Sequence, residues 1–193
     1  MCLRKIKYNS PVVLTFAALS LLSLLLGAVS GGMTTIKFFC VYRAPLNDPI
    51  TYLRFFSHVL GHSNYSHYIS NMLLMLVIGP QIEDKYGSPA LLEAVLVTAF
   101  VSGLVQFFLF PTTALLGASG IVYMMIIMSS FTGFKKGTVP LTMIIVFVLY
   151  IGGEIVSGVT ASDNISQLTH IIGGICGGVF GYMLTAGSRA RHR

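Results

Sequence analysis

Two polar residues lie in segments that are otherwise apolar enough for a lipid bilayer. Ser119 is part of a Gly-Ala-Ser-Gly run at 117–120, and His170 is part of a Thr-His-Ile-Ile-Gly-Gly run at 169–174. A histidine inside a membrane span is costly, so its default interpretation is a functional site with a nearby partner. A serine close to a histidine is the smallest set of side chains that supports nucleophilic catalysis. If the two segments meet, we expect a hydrolytic site inside a membrane.

Counting along the chain places further polar residues at a similar depth. Ser119 and His67 each precede an inner-side charged residue by 16 residues, and His170 precedes the first C-terminal arginine by 19. At about 1.5 Å per residue these separations are roughly 24 and 28 Å. Asn71 lies one turn deeper than His67 on the same helix face. Three spans therefore place polar groups in one layer, which predicts a water-accessible cavity open to the outer side.

The composition indicates a membrane protein. The 193 residues are 54% hydrophobic and only 9% charged, and the mean hydropathy is +0.81. Soluble domains carry about 25% charged residues, so this chain cannot cover a water-facing surface of ordinary polarity. The net charge of +6 does not indicate nucleic-acid binding, because the basic residues sit at the ends of apolar segments and form no stripe. The three cysteines predict no disulfide framework.

Six apolar segments predict an all-α, six-transmembrane helix bundle that forms a single domain over residues 1–193. The first run is about 20 residues long, enough to span the bilayer, whereas the apolar core of a signal peptide has about 7–15. Gly, Pro and charged residues separate the segments. The predicted spans are 11–30, 64–80, 90–110, 116–133, 138–156 and 166–186.

The distribution of Lys and Arg predicts the orientation. With both termini inside, nine basic residues lie on the inner side and three on the outer side, as the positive-inside rule requires. The inner set is Arg4, Lys5, Lys7, Lys85, Lys135, Lys136, Arg189, Arg191 and Arg193, and the outer set is Lys37, Arg43 and Arg54. The long outer segment, about 31–63, is rich in aromatic residues. They fit either an interfacial aromatic belt or a specific structural role.

Glycines give a reason for the serine and histidine spans to approach each other. Gly173, Gly174, Gly177 and Gly178 form two overlapping small-xxx-small patterns below His170, and such patterns allow close backbone contact. Gly120 leaves the backbone beside Ser119 open. If Ser119 opens a helix, its own N–H is among those left unpaired and is available to an oxyanion.

Other chemistries are less favoured by these residues. His58, His62 and His67 suggest a zinc site, but the chain has no His-Glu-x-x-His motif. Either Glu154 or Asp163 is a candidate third member of a triad, although neither position favours a buried acid, and we expect a Ser–His dyad. A small transporter also places polar groups at depth, but the span interiors lack a pathway of charged residues.

Taken in order, the motifs resemble those of a known family. His62-x4-His67-x3-Asn71 on span two, Gly-Ala-Ser-Gly with Tyr123 on span four, and His170-x2-Gly173-x3-Gly177 on span six resemble the rhomboid intramembrane serine proteases in their compact six-span prokaryotic form. The resemblance covers nearly all of the chain after about residue 50, including Arg54 in the first outer segment. In the family this segment carries a Trp-Arg pair, whereas here Leu53 separates Tyr52 from Arg54.

The resemblance implies a role for each of these residues. Ser119 would be the nucleophile and His170 the general base, while His67, Asn71 and the Ser119 amide would bind the oxyanion. The implied supporting residues are Tyr123 (stacked on His170), His58 and His62 (holding the start of span two), Gly117, Gly120, Gly173 and Gly177.

The resemblance also implies the activity and its setting. We expect a serine endopeptidase of the cytoplasmic membrane that cleaves transmembrane segments of protein substrates near the outer face. It would need no cofactor or metal, and its partners would be these substrates and the lipid bilayer, with no nucleic acid. An inactive rhomboid-like protein that binds transmembrane clients is the main alternative, and the oligomeric state stays open.

Overall fold

The structure is a computed structural model that describes residues 8–132 and 165–190, together with the helical positions 141, 144, 145, 148 and 149. Its helices are α1 (Pro11–Val29), α2 (Met33–Phe38), α3 (Pro49–Ser57), α4 (Tyr65–Tyr86), α5 (Ser88–Leu109), α6 (Ser119–Ser130) and α7 (Ile165–Ala190). A 3-10 helix, His58–Leu60, follows α3. The predicted span 138–156 falls mostly outside the described residues, and its five described positions are helical.

One small β ladder accompanies the mostly helical fold. Strand β1 (Val41–Tyr42) lies in the outer segment, and strand β2 (Ala114–Leu115) lies just before α6. They pair antiparallel, with Val41 opposite Leu115. The ladder fastens the outer segment to the stretch of chain that leads into Ser119.

The helices expose apolar side chains and bury small polar ones. In α1, Leu22 and Leu25 are 51% and 54% exposed, whereas Ser20 and Ser23 are almost fully buried. Such a distribution suits lipid, where small residues mediate helix contacts and apolar residues face the acyl chains. Among the described residues, three helices are long and apolar enough to cross a membrane, namely Pro11–Val29, Ser88–Leu109 and Leu168–Ala186. The shorter α6 is also apolar.

Helix α4 extends beyond the predicted end of span two. The predicted span ended at Pro80, and a proline inside a helix removes a hydrogen bond and costs about 3 kcal/mol or more. The observed helix continues to Tyr86 with Pro80 inside it. The last turn is held by tertiary contacts, since Ile82 is fully buried and Glu83 is nearly so.

Glu83 joins the C-terminal end of α4 to the N-terminal ends of α1 and α5. Its two carboxylate oxygens accept hydrogen bonds from the backbone N–H groups of Val12 and Val13, at 2.9 and 3.1 Å. The Ser88 hydroxyl donates to the same carboxylate at 2.7 Å. The first N–H groups of a helix have no partner within the helix, so Glu83 satisfies two of those in α1. The predicted break between spans two and three is confirmed at Gly87, whose φ is +87°.

The outer segment is folded rather than an extended loop. Asp48 caps α3 by accepting the Ile50 N–H at 2.9 Å. Phe55 on α3 is buried and packs edge-on against Phe107 of α5, with ring centroids 5.4 Å apart. Tyr52 is about half exposed. The aromatic residues of this segment therefore divide between packing and surface positions.

Helix α6 lies at the centre of the bundle. It packs against α4, α5 and, most extensively, α7. Its side chains are buried on nearly every face, including Ile121, Met124 and Met128, which are fully buried. The N-terminal residue of α6, Ser119, therefore belongs to a helix that is packed on nearly every face.

Candidate active site

Ser119 is the first residue of α6, which begins three residues after the predicted start of span four. The serine is half-buried, and the chain enters the helix through Gly117, whose φ of +128° favours glycine. The Gly117 N–H donates to the His58 carbonyl at 3.0 Å, which fixes the loop to the outer segment. The amides of the first turn have no acceptor within the helix, so the N-terminus of α6 can stabilise negative charge.

His170 on α7 stacks on Tyr123 of α6. The two ring centroids are 4.2 Å apart and the ring planes differ by 4°. Tyr123 follows Ser119 by one helical turn, so the two residues share a face of α6. The stack confirms the predicted contact between these rings and holds the imidazole against the helix that begins with the serine.

Glycines bring the backbones of α6 and α7 together. A Cβ atom on Gly173 would lie 2.1 Å from the carbonyl oxygen of Gly120, and one on Gly177 would lie 2.3 Å from that of Met124. No side chain fits at either position. By contrast, a Cβ on Gly178 would meet nothing within 4 Å. The predicted close approach is confirmed, and it uses Gly173 and Gly177.

His67 on α4 reaches the same loop from the other side. Its Cε1 and Nε2 atoms both lie 2.9 Å from the position that a Cβ on Gly117 would occupy. The ring edge that carries Nε2 therefore faces the backbone two residues before Ser119. Asn71 lies one turn below His67 and is buried, and its side-chain amide donates to the His67 carbonyl at 3.0 Å. The second amide N–H remains for another acceptor.

His62 supports the start of α4. It is buried, its Nδ1–H donates to the Leu60 carbonyl at 3.2 Å, and its ring meets the ring of His67 edge-on, with centroids 5.0 Å apart. Burial, followed by the proximity of His67, lowers the pKa of His62 to about 4. The ring is therefore neutral at physiological pH.

His58 links the outer segment to α5. Its Nδ1–H donates to the Arg54 carbonyl at 3.0 Å, and its Nε2 lies 3.3 Å from the Ser102 hydroxyl. Complete burial lowers the pKa of His58 to about 4. Among the described residues, no three His, Cys, Asp or Glu side chains form a group that could hold a metal ion.

The comparison with protein families decides the identity of the fold. The family model for the rhomboid domain matches residues 49–187, which is more than half of the chain. The chain belongs to the rhomboid family. With its long apolar helices, this rhomboid chain is a multi-pass membrane protein.

Two curated rhomboid proteins are similar to this chain. Rhomboid-related protein 1 of Caenorhabditis elegans is 28% identical over 142 residues, which cover 68% of this chain and 39% of that protein. Rhomboid protease GluP of Bacillus subtilis (strain 168) is 26% identical over 174 residues, which cover 86% of this chain and 33% of that protein. The rhomboid chain thus spans between a third and two fifths of the length of these relatives.

The structure does not test three of the sequence predictions. Glu154 and Asp163, the candidate third members of a triad, lie outside the described residues. The catalytic roles assigned to Ser119 and His170, and the oxyanion roles of His67 and Asn71, stay predictions.

Sequence reasoning missed how the outer segment is attached to the rhomboid site. Arg54 is buried, donates through Nε to the Lys37 carbonyl at 2.9 Å, and places its guanidinium 4.4 Å from the ring centre of Tyr42. The aromatic partner of Arg54 is therefore a strand residue and not the nearby Tyr52. No sequence signal identifies the His58 carbonyl as the acceptor for Gly117, because any residue carries a carbonyl.

Proposed function

We propose that this rhomboid protein is an intramembrane serine endopeptidase with a Ser119–His170 dyad. The observation that carries the proposal is the stack of His170 on Tyr123, one turn into the helix that Ser119 begins. The contact between Gly173 and Gly120 supports it, because it brings the backbone of α7 against the residue after the serine. His170 then takes the hydroxyl proton as Ser119 attacks the substrate carbonyl, and water later releases the acyl-enzyme.

The proposed oxyanion site consists of the Ser119 amide and the side chains of His67 and Asn71. The position of the His67 ring against Gly117 supports this assignment, since Nε2 is on the edge that faces the loop. Donors fixed in advance of the reaction stabilise the charge that develops on the carbonyl oxygen. Loss of one such donor costs about 2.7–4 kcal/mol of transition-state stabilisation.

In this proposal the protein has six spans, with both termini inside, in the cytoplasmic membrane. The excess of basic residues on the proposed inner side supports the orientation. The substrates are single transmembrane segments that enter from the side and unwind near the outer face. Unwinding is needed because the peptide bond of a helical segment is hydrogen-bonded and shielded from the nucleophile.

The test uses the purified protein in detergent micelles with a model single-span substrate. Wild-type protein cleaves the substrate, while Ser119→Ala and His170→Ala are each inactive, because members of a dyad act as a unit. Ser129→Ala, at the other end of α6, is the matched control and retains activity. A serine-directed covalent probe labels wild-type protein and fails to label Ser119→Ala.

Two results would contradict the proposal. Cleavage that survives Ser119→Ala would show that another residue attacks the substrate. Binding of the substrate by wild-type protein without cleavage, in both micelles and liposomes, would instead support a rhomboid-like protein that binds clients without cutting them.

A further inference from the structure

An imidazole that stabilises an oxyanion must present an N–H to it. A neutral histidine carries its hydrogen on only one of its two nitrogens, and the partner of the other nitrogen selects which one. If His67 serves the oxyanion, as proposed above, its Nε2 must carry the hydrogen while Nδ1 accepts a hydrogen bond. The residue that donates to Nδ1 would therefore control whether the site works.

Ser63 lies at the Nδ1 side of His67. Its hydroxyl oxygen is 3.3 Å from Nδ1, and the two residues are separated by four positions across the start of α4. The adjoining edge of the ring, formed by Cε1 and Nε2, lies against Gly117. The imidazole thus contacts a serine hydroxyl through Nδ1 and the loop that leads to Ser119 through its Cε1–Nε2 edge.

Asn64 favours donation by the Ser63 hydroxyl to Nδ1. As the N-cap of α4, Asn64 accepts the His67 backbone N–H at 2.8 Å, which identifies the accepting atom as the amide oxygen. The other end of the Asn64 amide must then be the NH2 group, and it lies 3.3 Å from the Ser63 oxygen. Since Asn64 can only donate there, Ser63 accepts from Asn64 and keeps its own hydrogen for Nδ1.

We propose that Ser63, oriented by Asn64, is a positioning residue that holds His67 with its hydrogen on Nε2, the nitrogen that faces the oxyanion. Ser63 touches neither the nucleophile nor the base, and acts only through His67. The His62 ring also contacts His67, with ring centroids 5.0 Å apart, and burial keeps His62 neutral. The hydrogen bond from Ser63 therefore acts on His67 beside a neutral imidazole.

The experiment reads the hydrogen position directly and separately from activity. Protein labelled with 15N-histidine is studied by NMR in detergent micelles, and the His67 signals are identified by their loss in His67→Asn. Wild-type protein shows the form with hydrogen on Nε2, and Ser63→Ala shifts the population toward hydrogen on Nδ1. In the cleavage assay kcat falls by about tenfold while KM is unchanged, as for the loss of one neutral hydrogen bond.

Two variants make the result specific. Ser70→Ala is the matched control, because the Ser70 hydroxyl also bonds to His67, at 3.0 Å, but to its backbone carbonyl and not to its ring. Ser70→Ala keeps the wild-type spectrum and rate, whereas Ser63→Thr, which retains a hydroxyl, restores both.

The proposal is overturned if Ser63→Ala keeps the hydrogen on Nε2, whatever its activity. It is also overturned if Ser63→Thr behaves like Ser63→Ala. If wild-type protein does not cleave the substrate, the proposed protease function fails, and the spectra still decide whether Ser63 sets the hydrogen position.

Discussion

The two sides of the candidate site are held by different kinds of contact. Between α6 and α7 the backbones touch, because Gly173 and Gly177 leave no room for a side chain against α6. On the α4 side of the site the contacts are directional hydrogen bonds, such as the one from the Gly117 N–H to the His58 carbonyl, which joins the loop before α6 to the outer segment. The α6–α7 contact depends on glycines, which have no side chain, whereas the α4 side depends on hydrogen-bond donors and acceptors.

This difference separates the ways in which the two sides can fail. A methyl group added at the α6–α7 contact has no place to go, since cores resist added volume and respond by shifting whole elements. Hydrogen bonds on the α4 side can be weakened one at a time. We therefore expect abrupt losses from changes on the glycine side and graded losses from changes on the hydrogen-bonded side.

Gly173→Val should have the largest effect. Its Cβ would overlap the Gly120 carbonyl oxygen, so α7 must move away from α6 and carry His170 with it. We expect proteolysis to fall below detection and the thermal midpoint in detergent to fall as well, consistent with an overpacking cost of about 1–3 kcal/mol. Cleavage of the model substrate and a thermal melt of the same sample measure the two effects.

Gly178→Val is the matched control for that change. It adds the same side chain to the same helix, five residues further along, where nothing lies within 4 Å. Activity and thermal midpoint should stay close to those of wild-type protein. Equal damage from both variants would show that helix propensity, rather than the contact with α6, explains the effect.

The close contact between α6 and α7 could be predicted from the sequence. Small residues spaced four apart in an apolar helix have few other uses, so their pattern indicates a helix contact. His170 and Tyr123 could be placed through the motifs that flank them. The hydrogen bonds on the α4 side could not be predicted in the same way. The β ladder and the bond to the His58 carbonyl use backbone atoms, which every residue carries.

Pro80 shows where local rules mislead. A proline inside a helix removes a backbone hydrogen bond and costs about 3 kcal/mol or more, which disfavours a helix through that residue. Burial of Ile82 and the bonds from Glu83 to the first amides of α1 stabilise the turn that follows, so the helix continues. These contacts join residues some 70 positions apart, and no local pattern records them.

Gly117→Ala should have the second largest effect, on the hydrogen-bonded side. The added Cβ would lie 2.9 Å from the His67 ring, at a φ of +128° that L residues rarely adopt. We expect the ring to be displaced from the proposed oxyanion position, with kcat lower by about 100-fold, as for loss of one donor. Initial rates at saturating substrate measure this change.

Gly31→Ala separates the two causes in Gly117→Ala. Gly31 also has a positive φ, +62°, but a Cβ there would meet nothing within 4 Å. This variant should lose a little stability through backbone strain and keep its kcat. If Gly31→Ala reduced kcat as strongly as Gly117→Ala, displacement of His67 would not be the explanation.

His58→Asn should have the smallest effect on activity, and its effect on stability should include a part that depends on pH. Because the folded protein lowers the pKa of His58 from 6.5 to about 4, the unfolded chain binds more protons between these values. The stability contributed by neutral His58 is complete above pH 6.5 and is lost as the pH falls toward 4. Thermal midpoints of wild-type protein in detergent should therefore decline over this window, and those of His58→Asn should decline less.

His62 also has a pKa lowered to about 4, so it should supply part of the remaining dependence of the thermal midpoint on pH. The double variant with His62→Asn should therefore show a still smaller dependence. Identical slopes in wild-type protein and the double variant would show that neither buried imidazole couples protonation to the attachment of the outer segment.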